Sequence, residues 1–173
     1  MIIDLRNYPL GTRKSEIVDF LSTEKKRFVS IIGPILPGQR DLVKKNSLDL
    51  LLGDTSFLKN KKNGYKGIIV ILVDRNTLSK AEFIALQLQH YQNAYTIGEQ
   101  TGGAIMNTKT YKLLNGQPFV FTSYMAVDPI DNSPLQRNGL KLNKQMEESA
   151  LSFEPYSYLL EAVKYIENYQ DEY

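Results

Sequence analysis

The pattern of apolar and polar positions changes period most sharply between residues 67 and 88. Gly67-Ile68-Ile69-Val70-Ile71-Leu72-Val73 is an unbroken, β-branched apolar run, the pattern of a strand covered on both faces in a parallel sheet. After Asp74-Arg75-Asn76, the residues Ala81, Ile84, Ala85 and Leu88 recur at helical spacing, which predicts a helix from about Ser79 to Tyr91. Tyr95 to Ile97 then reads as a short strand stopped by Gly98. Strand, helix and strand in that order make a parallel crossover unit. Thr77-Leu78-Ser79-Lys80-Ala81-Glu82 opens the helix at the carboxyl end of the strand, in the crevice where open α/β sheets bind ligands.

On either side of this unit the pattern predicts further elements. The chain opens on a strand, Ile2 to Arg6, an abrupt start that suggests an upstream part. The turn residues Asn7 to Thr12 lead into a helix with Ile17, Val18, Phe20 and Leu21 on its apolar face. Phe28 to Ile32 reads as a second strand, punctuated by Gly33-Pro34 and Pro37-Gly38. Leu48 to Leu52 fits a short helix or a strand, and Lys59 to Gly64 fits a surface loop. Alternation at Thr110–Leu114 and Phe119–Tyr124, separated by Asn115-Gly116, is a hairpin signal. Asp128 to Pro134 reads as a loop, Gly139 to Leu142 as a last strand, and Tyr158 to Tyr169 as a helix with Leu159, Ala162, Val163 and Ile166 on one face. No internal repeat is present.

Composition narrows the chemistry. At 173 residues and 42% apolar content the chain is long enough to bury one core as a single domain. The net charge is +2, and the basic stretch Lys59 to Lys66 lacks arginine, which fits a solvated loop and not a nucleic-acid surface. No apolar run reaches the length of a membrane span, and the first residues do not form a signal peptide. The absence of cysteine removes disulfides, thiolate metal sites and a cysteine nucleophile, and one histidine, His90, cannot make a multi-histidine metal site. Neither a metal nor a cofactor is expected.

Ser79 carries two readings. With Glu82 three residues later it forms a capping box; equally, its hydroxyl lies where the helix dipole and backbone N–H groups could stabilise a developing oxyanion.

Several motifs occur in an order that decides between fold families. Ile3-Asp4-Leu5-Arg6-Asn7, the strand leading to Thr77–Glu82, and then Gly98-Glu99-Gln100-Thr101-Gly102-Gly103 resemble the tail-specific or carboxy-terminal processing serine peptidases, closest to their tricorn-like branch. Leu113-Leu114-Asn115-Gly116 and Gln136-Arg137-Asn138-Gly139-Leu140 are similar to that family's later turn and closing segment. The resemblance covers residues 1 to about 143. It implies a crotonase/ClpP-like α/β fold, a βαβ core with helices packed on a mostly parallel sheet followed by a hairpin and a C-terminal helix. The 173 residues would be one domain, the C-terminal portion of a larger catalytic domain. The implied activity is peptide-bond hydrolysis by acyl transfer through Ser79 on a peptide or protein substrate. The implied oxyanion donors are the backbone N–H of Lys80 and one from the loop after the first strand, Leu10 or Gly11. Gly102 and Gly103 would cradle the substrate backbone.

The chain also departs from the family pattern. Leu10 stands where the family often has glycine. Where the processing branch carries its lysine and supporting glutamine, this chain has Ala104 and Thr108, neither of which takes up a proton. The tricorn-like branch draws its histidine from upstream of the Asp-Leu-Arg strand, and its carboxylate position falls near Gln136 or Arg137. His90 lies eleven residues after Ser79 in one helix, roughly 16 Å along its axis, beyond the ~3 Å reach of a general base. The isolated chain is therefore expected to be inactive without an upstream segment or an oligomeric partner. The family implies a periplasmic or secreted parent. The alternative is a non-catalytic peptide-binding or scaffolding module in which Ser79 only caps its helix.

Overall fold

The computed structural model describes residues 1–11, 14–22, 27–34, 42–44, 64–106, 108–122, 124–146 and 156–171. The segment Leu48–Leu52 and the lysine-rich loop 59–63 lie outside the described residues. A parallel sheet of four strands, β1 (Ile2–Asp4), β4 (Val70–Val73), β5 (Tyr95–Gly98) and β9 (Lys144–Gln145), runs in the order β1-β4-β5-β9. Helix α1 (Lys14–Leu21) follows β1, and helix α2 (Lys80–Gln92) makes the crossover from β4 to β5. A second, antiparallel sheet has β2 (Ser30–Pro34) between β3 (Leu42–Lys44) and β8 (Met125–Val127). The strands β6 (Thr108–Lys112) and β7 (Pro118–Thr122) form the hairpin marked by Asn115-Gly116, and helix α3 (Ser157–Asp171) closes the chain. The α/β architecture with a parallel crossover is thus the one the sequence predicts.

The unbroken apolar run has a direct cause. Successive β4 side chains point to opposite faces, and both faces are covered. Ile69, Ile71 and Val73 join one core cluster with Ile84 and Leu88 of α2, Val18 and Leu21 of α1, and Ile31 and Ala126 of the second sheet. Val70, Leu72 and Ile97 join another, roofed by Tyr158 and Ala162 of α3. Each aliphatic side chain buried this way contributes about 1.5–3 kcal/mol, so β4 is the strand the fold can least lose. In α1 the apolar face is narrower than its pattern suggests: Val18 and Leu21 are buried, whereas Phe20 is 72% exposed.

Two local expectations are corrected. The last strand is Lys144–Gln145 and not Gly139–Leu142. Gly139 turns at φ +77° and Leu140 is tucked into the core, so pairing with β5 is delayed until Asn143, whose N–H and side chain both engage Thr96. In α3 the sheet-facing residues are Tyr158, Ala162, Tyr165 and Ile166, while Leu159 and Val163 are exposed. Tyr158 donates to Glu99 Oε1 at 3.1 Å and lies under the Arg6 guanidinium; Tyr165 stacks on Tyr95 at 3.7 Å between ring centroids. Those tyrosine anchors set the rotation of the helix.

Candidate active site

Residues 74–79 turn the chain from β4 into α2. Asp74 accepts the Asn76 N–H at 2.8 Å, an Asx turn that starts the reversal. Thr77 is fully buried; its hydroxyl donates to the Leu5 carbonyl at 3.0 Å and accepts the Asp74 N–H at 3.0 Å. The turn is thereby fixed to the end of β1. Ser79 then stands at φ 49°, ψ −108°, a conformation costing a non-glycine residue about 1–3 kcal/mol and found mostly where surrounding structure over-determines it. A serine on such a sharp strand-to-helix turn presents its Oγ at the head of the helix. The capping-box contacts with Glu82 are present. The firm one runs from Ser79 N–H to Glu82 Oε2 at 3.0 Å, and the hydroxyl itself makes no proper side-chain cap bond.

Glu82 is the polar centre of this region. It is fully buried, and besides Ser79 it accepts the Thr101 hydroxyl at 2.8 Å and the Gly103 N–H at 2.9 Å. Burial pushes its carboxyl pKa up; the hydrogen bonds from Thr101, Gly103, Ser79 and Ala104 pull it down without overcoming that. Thr101 Oγ1 in turn accepts the Leu140 N–H at 2.9 Å, and the Gly103 carbonyl accepts the Arg137 N–H at 2.8 Å. Gln100 Nε2 donates to the carbonyls of Asn138 and Leu140. A single carboxylate therefore ties the serine turn to the Thr101–Gly103 loop, and that loop carries the 136–140 segment. The loops meet backbone to backbone. A Cβ on Gly103, at φ +63°, would sit 2.7 Å from the Arg137 carbonyl carbon, and one on Gly139 would sit 2.7 Å from the Thr101 oxygen.

The sequence-predicted residues fall as follows. Ser79 and Lys80 head α2, and Gly102 and Gly103 lie beside them, Gly102 N–H donating to Thr77 O at 3.3 Å. The loop after β1 approaches through Tyr8, whose ring lies 5.3 Å from Lys80 Nζ. Within that loop Leu10 N–H donates to Tyr8 O at 2.8 Å, and Gly11 adopts φ +73° with open space around it. His90 is in the last turn of α2, with Nε2 4.0 Å from Asp128 Oδ2; Asp128 also takes Lys141 at 3.1 Å. Ala104 is exposed, and Thr108 pairs with Thr122 in the hairpin. Among the described residues no cluster of His, Asp and Glu could hold a metal ion, and no helix is long and apolar enough to cross a membrane.

Sequence reasoning gave Glu82 only its capping role and missed that it clamps the glycine loop. The available signal was an acid flanked in α2 by Ala81, Phe83, Ile84, Ala85 and Leu86, all of which are buried. The Thr77 tether to Leu5 joins residues 72 apart in sequence and had no local signal.

Solved structures share this fold at low identity. The photosystem II D1 C-terminal processing protease is 18% identical, with 91% of this chain and 37% of that chain covered at a TM-score of 0.52. A lipoprotein from Streptococcus agalactiae is 16% identical, with 96% and 54% covered at 0.57. Mature CPAF is 16% identical, with 94% and 42% covered at 0.65. The chain thus spans less than two thirds of each of these relatives. No curated protein matches it. The model described as Peptidase family S41 matches residues 1–145, a span that takes in the β1 strand, the Ser79 turn, the Thr101–Gly103 loop and the 136–140 segment, and the chain belongs to that family.

Proposed function

We propose that this chain is the nucleophile-bearing, C-terminal portion of a serine-type peptidase catalytic domain, forming one domain over its 173 residues. Ser79 Oγ attacks the scissile carbonyl, its proton passes to a base, and the amine leaves with a proton to give an acyl-enzyme that water then hydrolyses. The Lys80 N–H is one oxyanion donor. Gly11 supplies the other, because the Leu10 N–H is already engaged by Tyr8. Of the two glycines expected to cradle the substrate, exposed Gly102 holds its backbone, whereas Gly103, with its N–H on Glu82 and its carbonyl on Arg137, shapes the loop. The observation that carries this reading is the strained backbone of Ser79, maintained by Thr77 and Glu82 in a chain of family S41.

Among the described residues no basic group is hydrogen-bonded to the Ser79 hydroxyl, and His90 is paired with Asp128 at the far end of α2. In this reading the base comes from a complementary segment or a second chain, and the 173 residues alone are inactive or nearly so. The short span over the relatives supports this. A periplasmic or secreted parent is part of the reading, supported by a fold relative that is a lipoprotein. The presence of Ala104 and Thr108 favours a second reading, a non-catalytic peptide-binding module on an inherited fold.

Labelling with a fluorophosphonate probe, with Ser79→Ala as control, separates the two. Labelling that vanishes in Ser79→Ala, strengthened by a base-bearing segment, supports the peptidase. A folded chain that never labels, with or without that segment, leaves the binding module.

A further inference from the structure

The β6–β7 ribbon stands outside both sheets. Its two strands pair only with each other among the described residues, and a two-stranded hairpin by itself is marginally stable in water. Residues directly opposite share a face, so the pairs Lys109–Phe121 and Tyr111–Phe119 place three aromatic rings on one side. Tyr111, Phe119 and Phe121 are 63%, 54% and 39% exposed, and the two phenylalanines stack at 5.7 Å. Contiguous exposed aromatic surface of this kind marks an interaction site.

The position of the ribbon narrows what could occupy it. Only residues 104–107 separate β6 from Gly103, which shares the Glu82 carboxylate with Ser79. At about 3.4 Å per residue β6 begins within roughly 17 Å of Gly103. Its base is fixed by Gln136, which accepts the Met106 N–H at 3.2 Å and reaches Thr122 Oγ1 at 3.5 Å. The charge is one-sided: between Glu99 and Asp128 the sequence has no acidic residue, while Lys109 and Lys112 lie on β6. Edge lysines disfavour pairing of two identical copies through this edge, and they attract carboxylates.

We propose that an extended peptide with large apolar side chains at alternate positions and acidic residues between them binds by adding as a strand to the outer edge of β6. Its apolar side chains pack beside Tyr111, and its carboxylates, on the opposite face, lie beside Lys112. Strand addition takes affinity from main-chain hydrogen bonds and specificity from alternate side chains. This proposal deepens the peptidase reading and rests on it for the peptide's being a substrate.

The test uses the full chain carrying Ser79→Ala, so that bound peptide is not turned over, and a fluorescein-labelled eight-residue peptide alternating phenylalanine with glutamate. Fluorescence anisotropy reports binding. Backbone N-methylation of the peptide at alternate positions, in one of the two phases, should weaken binding about tenfold through lost main-chain bonds, a control that leaves the protein unaltered. Tyr111→Ser should weaken it several-fold, and amide exchange should slow in β6. No saturable binding, equal affinity for both N-methylated phases and the parent peptide, or β6 protection that appears only on self-association in sedimentation would overturn the proposal. Ser79 labelling by fluorophosphonate, in the unsubstituted chain with the base-bearing segment added, is scored separately: labelling without ribbon binding removes this inference and keeps the peptidase, and ribbon binding without labelling does the reverse.

Discussion

Replacing Glu82 removes the carboxylate that joins the serine turn to the glycine loop. Glu82→Ala deprives the Ser79 N–H, the Thr101 hydroxyl and the Gly103 N–H of their acceptor in a site where the carboxylate is fully buried. The hydroxyl can rotate to another partner; the two backbone donors cannot. A buried donor left unsatisfied costs about 1–3 kcal/mol, so the expected loss is about 2–6 kcal/mol, a large share of the roughly 5–15 kcal/mol that holds a domain folded. Glu82→Gln keeps the volume and one acceptor oxygen but turns an amide N–H toward the Ser79 N–H, an expected loss of about 1–3 kcal/mol.

The two variants also differ in pH dependence. Burial raises the folded carboxyl above its ordinary 4.5, so over a window starting there the folded chain holds a proton that the unfolded chain has released. Stability falls as pH rises through such a window. The advantage of the wild type over Glu82→Gln is therefore greatest below about pH 4.5 and narrows above it. Urea unfolding followed by far-UV circular dichroism between about pH 4 and 8, with amide exchange at Gly103, measures both effects. A loss under about 1 kcal/mol for Glu82→Ala with unchanged Gly103 exchange would refute the clamp.

Three further changes probe the same turn. Ser79→Gly should raise stability by about 1 kcal/mol in thermal melts, because glycine adopts φ 49°, ψ −108° at little cost; Ser79→Ala should give no such gain, and equal melting of the two would show that the turn is unstrained. Gly103→Ala places a Cβ against the Arg137 backbone at positive φ and should cost about 2 kcal/mol or more in chemical denaturation. Thr77→Val loses the bond to Leu5 O and the acceptor for Asp74 N–H; a loss of about 1–3 kcal/mol is expected, with faster amide exchange at Asp74.

The crossover unit, the hairpin and the identity of the serine turn were legible in the sequence because each rests on local information. An unbroken apolar run can be satisfied only between two layers, Asn115-Gly116 fits a tight hairpin, and a helix start is written in its first residues. Residues 139–145 were misread because Leu140 is apolar for the core and not for strand pairing, a distinction made by Thr96 and Thr101 from elsewhere in the chain. The face of α3 was read correctly at Ala162 and Ile166 and misread at Leu159 and Val163, which look like core residues, yet the helix is rotated by contacts of Tyr158 with Glu99 and Tyr165 with Tyr95. Tertiary structure alone decided that Glu82 reaches the Thr101–Gly103 loop and that Thr77 is tied to β1. Those bonds join residues 19, 21 and 72 apart, and periodicity carries no information about partners at such separations. The sequence determined that a serine opens the helix after β4; packing around β4 determined how its backbone is held.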